Sequence, residues 1–171
     1  KLDPVMRKGD HNGMTFAMSY NSAENYILPL SHDEVVHGKC SMVEKMPGYR
    51  VDKYSNLRLG YTFMFGHCGK KLLFMGEEFG QEREWSEARE LDWFLLAEPG
   101  HDGVRRLVGD LNALQERHPA LWCGDDDPDA TFGWLDAKDR HHSVFSFWRR
   151  SSERDDVVVV VANLTPVPRH G

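Results

Sequence analysis

Asn25-Tyr26-Ile27-Leu28-Pro29-Leu30-Ser31-His32-Asp33-Glu34-Val35-Val36-His37-Gly38-Lys39 is the stretch from which the fold of this chain is read. Tyr26, Ile27, Leu28 and Leu30 form a short apolar run that stops abruptly at four polar side chains, Ser31 to Glu34, as a buried strand does when it empties into a loop. Pro29 lacks an N–H and is awkward in a central strand, but its place near the strand end softens that objection. Four hydrogen-bonding or ionisable groups in a row at a strand end suit a functional site. The same pattern also serves ordinary strands that reach solvent or cap a following helix, so these residues alone leave both readings open.

Lys70 to Phe79 repeats the theme. Leu72, Leu73, Phe74 and Met75 form an apolar run that ends at Gly76, Glu77 and Glu78. The polar loop continues through Gln81, Arg83, Trp85 and Trp93, which are groups that hydrogen-bond or stack on sugars, although both tryptophans serve equally well as loop anchors. Between the two runs, Tyr54, Leu57, Tyr61 and Met64 recur at helical spacing and predict a helix over residues 52–65 with one buried stripe. Gly60 weakens this helix and Gly66 suits its C-terminal cap. A clearer helix spans 101–117, with Val104, Leu107, Val108, Leu111 and Leu114 on one face and His118-Pro119 as its stop. Upstream, residues 14–21 read as a short helix or the approach to the first strand. The order strand, helix, strand, helix predicts a parallel α/β arrangement with functional residues at the carboxyl ends of covered, continuously apolar strands.

From Cys123 the character changes. Asp125, Asp126, Asp127, Pro128 and Asp129 read as an acidic surface linker or turn; they lack the spaced ligands and glycine of an EF-hand calcium loop. Residues 132–136, 143–149 and 157–164 read as three strands with no helix between them, so an antiparallel β domain is expected to begin here. The Val157 to Val161 run is an aggregation hazard if left uncovered.

The bulk properties narrow the function. With 171 residues the chain holds one ordinary domain or parts of two, and its 40% hydrophobic content is enough for a core. No apolar run approaches the ~20 residues of a membrane span, so no membrane partner is expected. A formal net charge of −6 leaves no basic stripe for a phosphate backbone, which argues against nucleic acid. Three cysteines, Cys40, Cys68 and Cys123, stand at wide spacings with no Cys-x-x-Cys pair, which fits a reducing, cytoplasmic compartment and neither a disulfide framework nor a zinc cage. The first residue is Lys1, with no signal or lipidation motif after it, so we expect the chain to begin inside a longer polypeptide.

Ser31-His32-Asp33-Glu34, continued by Val35-Val36-His37-Gly38-Lys39, resembles the bacterial 1,4-α-glucan branching enzymes of the α-amylase superfamily. The resemblance continues through Lys45-Met46-Pro47-Gly48, Asn56-Leu57-Arg58-Leu59, Gly69 to Gly76, Glu78-Phe79-Gly80-Gln81, Arg83-Glu84-Trp85 and Leu91-Asp92-Trp93. It implies an α/β fold in which residues 1–120 are the last strand–helix units of a partial (β/α)8 TIM barrel and residues 121–171 begin a C-terminal antiparallel β-sandwich. Length agrees, because a full barrel takes ~250 residues and only about 120 precede the β-rich tail.

The resemblance also implies a reaction: cleavage of an α-1,4 glucan bond and transfer of the segment to a 6-hydroxyl, giving α-1,6 branches in glycogen by retaining double displacement. Asp33 would be the carboxylate that stabilises the oxocarbenium-like transition state and His32 its partner donor at the same sugar. Glu34, Gln81 and Trp85 are further candidates for substrate contact. The nucleophile and acid/base motifs come earlier in such chains and are not found here, and nothing makes Glu34, Glu77 or Glu78 their replacement. The implied partners are an α-glucan and the missing N-terminal part of the same polypeptide; no cofactor and no metal is implied. Cys40 and Tyr49 depart from the pattern, which has glycine and aspartate at those places. Three rivals stand beside this reading: another α-amylase-type glucan hydrolase or debranching enzyme, a non-catalytic glucan-binding module, and a His-Asp metal-dependent phosphohydrolase using His32-Asp33 with His11, His37 or His67.

Overall fold

In the computed structural model, residues 2–19 and 27–169 are described. Tyr26 and the last residues of the 14–21 segment lie outside them, and the described residues open with 3₁₀ helix at Pro4–Met14 and Phe16–Ser19. The first strand, β1, is Ile27–Leu30, and its polar successor is a 3₁₀ turn at His32–Glu34. Helix α1 covers Arg50–Gly66 and returns the chain to β2 at Lys70–Leu73. The two strands pair in parallel with Ile27 opposite Lys70 and Leu30 opposite Leu73, the pairing that a helical crossover permits. A second 3₁₀ turn at Glu77–Phe79 follows β2, and helix α2 runs from Pro99 to Arg117.

Both helices carry the stripe their spacing predicts. Tyr54, Leu57 and Tyr61 of α1 are buried, as are Val104, Val108 and Leu111 of α2, and the two stripes share a core with Val35 and Val43 from the loop after β1. Buried His101, in the first turn of α2, donates from Nδ1 to the Phe79 carbonyl at 3.0 Å and takes the Tyr54 hydroxyl on Nε2 at 2.7 Å. One imidazole thus ties both helices to the loop after β2.

Two expectations need correction. The strands are not covered on both faces: burial alternates along β1 and β2, and Ile27 and Leu72 are exposed. A two-stranded sheet leaves both outer edges unpaired, so the continuous apolar run records a face that these residues do not cover. No barrel closes within the described residues. Gly66, expected as the cap, is instead the last helical residue, and His67 is the cap. A Cβ at Gly66 would lie 3.0 Å from Val160 and 3.1 Å from Phe147, so the position is needed for the β sheet to approach the helix end.

That sheet is antiparallel, in the order β3 (Phe132–Asp136), β4 (Val144–Arg150), β5 (Val157–Asn163), with a register shift between Trp134 and Asp136. Phe145 and Phe147 point inward and are wholly buried, packing with Phe63 of α1 and Trp134. The outer face of β5 is bare: Val157, Val159 and Val161 are 55%, 56% and 69% exposed. The apolar hazard read from the sequence is therefore a property of the described fold.

The acidic stretch, read as a surface linker or turn, does turn, with Asp126, Asp127 and Asp129 exposed, but two of its aspartates are also put to structural use. Asp127 caps the short helix α3 (Pro128–Thr131), its side chain accepting from the Ala130 N–H. Asp125 is nearly buried and holds Arg149 Nη2 at 2.5 Å, while Arg149, fully buried on the inward face of β4, also donates to the Gly66 carbonyl at 3.3 Å. The pair joins the start of the β region to the end of α1.

Candidate functional site

The two parallel strands end side by side, and their loops meet. Phe74 N–H donates to the Leu30 carbonyl at 3.0 Å just past the last paired residues, which aligns the loop after β2 with the turn after β1. In that turn Glu34 N–H reaches the Ser31 carbonyl and Val35 N–H the His32 carbonyl, which closes a single tight turn from which His32 and Asp33 are exposed. The imidazole of His32 lies 3.3 Å from Asp33 through Nε2 and Oδ1, and the two side chains are 54% and 73% exposed. Behind His32 stand Phe74 and Trp85, with ring centroids 5.9 and 6.4 Å away.

Asp33 is thus a carboxylate open to solvent with the His32 imidazole beside it. Its main-chain carbonyl accepts from Lys39 Nζ at 2.7 Å. Glu34 turns away from this pair: Lys45 Nζ holds its carboxylate at 3.1 Å and its carbonyl as well. The structure places Glu34 in a tether to the following loop.

Gln81 and Trp85 come to the same end of the strands. The Gln81 side-chain oxygen accepts from Asp92 N–H at 2.9 Å, and its backbone N–H donates to the Gly76 carbonyl at 2.9 Å. Trp85 is half-buried, packs edge-on against Phe74 with centroids 5.3 Å apart, and donates its backbone N–H to the Val35 carbonyl at 2.9 Å. Trp93, tilted on Phe79 and half-exposed, stands farther along the loop.

Glu77 and Glu78 look alike in the sequence, yet Glu77 is buried, at 4% exposure. One carboxyl oxygen of Glu77 accepts from Phe74 N–H at 3.1 Å and the other has no hydrogen-bond partner among the described residues. Burial, with the nearby charges of Glu78 and Glu34 adding to it, raises its pKa from 4.5 to about 8. Between those values the folded chain holds a proton that the unfolded chain has released, so stability falls as pH rises across the interval. The contribution is whole below about pH 4.5 and is lost as pH passes about 8. Glu77→Gln is expected to flatten this fall: the stability difference between variant and wild type, from urea melts at pH 5 and pH 8.5, shifts in favour of the variant at the higher pH. An unchanged difference contradicts the assignment.

The departures at Cys40 and Tyr49 leave structural marks. Cys40 has φ 61°, the left-handed conformation that glycine takes without strain. Tyr49 precedes α1 with no side-chain cap bond, while Asp52 accepts the Tyr49 N–H at 3.0 Å. Cys40→Gly is expected to stabilise the chain by ~1 kcal/mol, read as a higher urea midpoint at an unchanged slope; a lower midpoint contradicts it.

Metal chemistry finds no support in the geometry. Among the described residues no three His, Cys, Asp or Glu side chains could hold one ion. His11 is buried against Phe145 with its Nε2 on the Ala137 carbonyl, and His67 is buried among aromatic rings, its pKa lowered to about 4 first by burial and then by Arg149 and Lys71. Neither converges with His32 and Asp33. No helix of the described residues is long and apolar enough to cross a membrane.

Residues 134–171 match the family described as "Alpha amylase, C-terminal all-beta domain", which coincides with the antiparallel sheet. The whole chain is 61% identical to the 1,4-alpha-glucan branching enzyme GlgB of Butyrivibrio fibrisolvens, over 171 residues that make up 27% of that protein. It is 56% identical to the protein of that name in Pseudomonas putida, covering 99% of this chain and 23% of the relative. With the Rubrobacter xylanophilus protein the identity is 53%, over 100% of this chain and 24% of the relative. The chain spans about a quarter of the length of these curated relatives.

Proposed function

We propose, from the premise that this chain is kin throughout to the 1,4-alpha-glucan branching enzymes of the α-amylase superfamily, that it is a carboxyl-side portion of such an enzyme and supplies part of its glucan site. In this reading β1, α1, β2 and α2 are the last strand–helix units of a (β/α)8 barrel within residues 1–120, and β3 to β5 open the C-terminal β-sandwich within 121–171. The unpaired edges of β1 and β2 support it, as does an apolar groove of about 410 Å³ whose lining includes Leu30, Met46, Leu57, Met64 and Phe145. The remainder of the polypeptide is the partner this surface suits, and the compartment is the cytoplasm.

The single observation that carries the reading is the solvent-open His32-Asp33 pair at the carboxyl end of β1, beside the end of β2. Strand ends of this kind are where barrel enzymes gather their chemistry. Asp33 would bind sugar hydroxyls and stabilise positive charge on the ring as the α-1,4 bond breaks; a fixed carboxylate favours that charged state over the neutral ground state. His32 would donate to the same sugar. Nucleophile and acid/base would come from elsewhere in the polypeptide, so the 171 residues alone would bind glucan without turning it over.

Titration of the chain with a linear α-1,4 oligosaccharide such as maltoheptaose tests this. The NMR signals of His32 and Asp33 should move on addition, and Asp33→Ala should weaken the binding. Movement confined to Trp93 and the β strands would favour a separate glucan-binding surface, and no movement anywhere would contradict the reading.

A further inference from the structure

We propose that Glu84 is a positioning residue for the site: its carboxylate accepts the Cys40 N–H, closes the loop behind His32-Asp33 and, through Lys39, fixes Asp33. This deepens the glucan-site reading and rests on it only for the sugar. Gly38 and Cys40 both have positive φ, 82° and 61°, which turns neighbouring main-chain N–H groups toward one point and forms an anion-binding concavity. Glu84 fills it. Cys40 N–H donates to Glu84 Oε1 at 2.7 Å, and His37 Nδ1 stands 3.5 Å from Oε2. The N–H groups of Cys40 and then Gly38 hold the Glu84 carboxyl below the usual carboxylate range.

The carboxylate is a firm anchor because the residues on either side of it are fastened, Arg83 by its side chain and Trp85 by its backbone. Arg83 grips buried Asp92 through both Nε, at 2.6 Å, and Nη2. Trp85 N–H is bonded to the Val35 carbonyl at 2.9 Å. The loop after β2 therefore staples the loop after β1 at two points, Val35 and Cys40, and Lys39, which lies between them, returns its ammonium to the Asp33 carbonyl at 2.7 Å. A charged acceptor is used where a main-chain turn alone would leave these donors to water, and charge-assisted bonds of this kind are the stronger ones.

The test compares wild type with Glu84→Ala and Glu84→Gln, the amide retaining one oxygen that can accept from Cys40. Backbone NMR and amide exchange are read first. Glu84→Ala should speed exchange at Cys40 about tenfold or more and displace the His32 and Asp33 signals, and Glu84→Gln should restore much of both. Maltoheptaose affinity is read second and should follow the same order. If His32 and Asp33 stay in place in Glu84→Ala, or Glu84→Gln is no closer to wild type than Glu84→Ala, the proposal is overturned. If the signals move as stated while wild type has no affinity for maltoheptaose, the staple stands and the glucan reading falls.

Discussion

Asp125→Ala is expected to destabilise the chain by about 3–5 kcal/mol, the cost of leaving a buried charge without its counter-ion. Arg149 has no exposed surface, and its remaining partner would be the Gly66 carbonyl at 3.3 Å. Lys71, half-buried close by, already has its pKa lowered to about 8 by partial burial, an effect that Asp125 opposes; removing Asp125 takes a counter-charge from both cations. The double variant Asp125→Ala, Arg149→Met should recover a large part of the loss, because an apolar side chain of similar length needs no partner among Phe132, Phe147 and Cys68. Urea melts of the two single variants and the double variant measure the coupling. A loss below about 1 kcal/mol in Asp125→Ala, or a double variant no better than the single, would contradict the assignment of this pair as the junction between helix and sheet.

The second large effect is chemical. In the longer polypeptide that the proposed function calls for, Asp33→Asn should lower kcat by at least ~10²–10³, the range found when one preorganised electrostatic group is removed from a transition state. The substitution is close to isosteric and Asp33 is exposed, so the urea midpoint should stay where it is. Loss of activity with intact stability is the expected signature. A proportional loss of both would show Asp33 to be a structural residue.

Much of this was legible in the sequence, and the reasons differ from place to place. The abrupt end of the first apolar run at Ser31 located the end of β1, because a chain leaving a sheet must hand its backbone groups to a polar loop, whereas the second run continues through Phe74 and Met75 beyond the end of β2 at Leu73. Helical spacing located both helices, with α1 starting two residues and α2 two residues before the expected positions. Hidden from that reasoning were pairings over long chain separations. Asp125 looks like one of four surface aspartates until Arg149, on the inward face of β4, is brought to it. Glu84 looks like one charge in a solvated run until the turn at Cys40 closes on it from 44 residues away. Glu77 and Glu78 differ only in which side of a 3₁₀ turn they occupy. The His32-Asp33 pair was visible because its members are adjacent; their geometry adds exposure and an aromatic backing from Phe74 and Trp85.

Formation of α-1,6 linkages from a linear α-1,4 glucan, followed by proton NMR, tests the central claim most directly, with the native full-length polypeptide and the 171-residue chain assayed side by side. The account predicts branching by the native polypeptide, none by the 171 residues alone, and loss of branching on Asp33→Asn. Branching by the 171-residue chain on its own, or undiminished branching in the Asp33→Asn polypeptide, would contradict it.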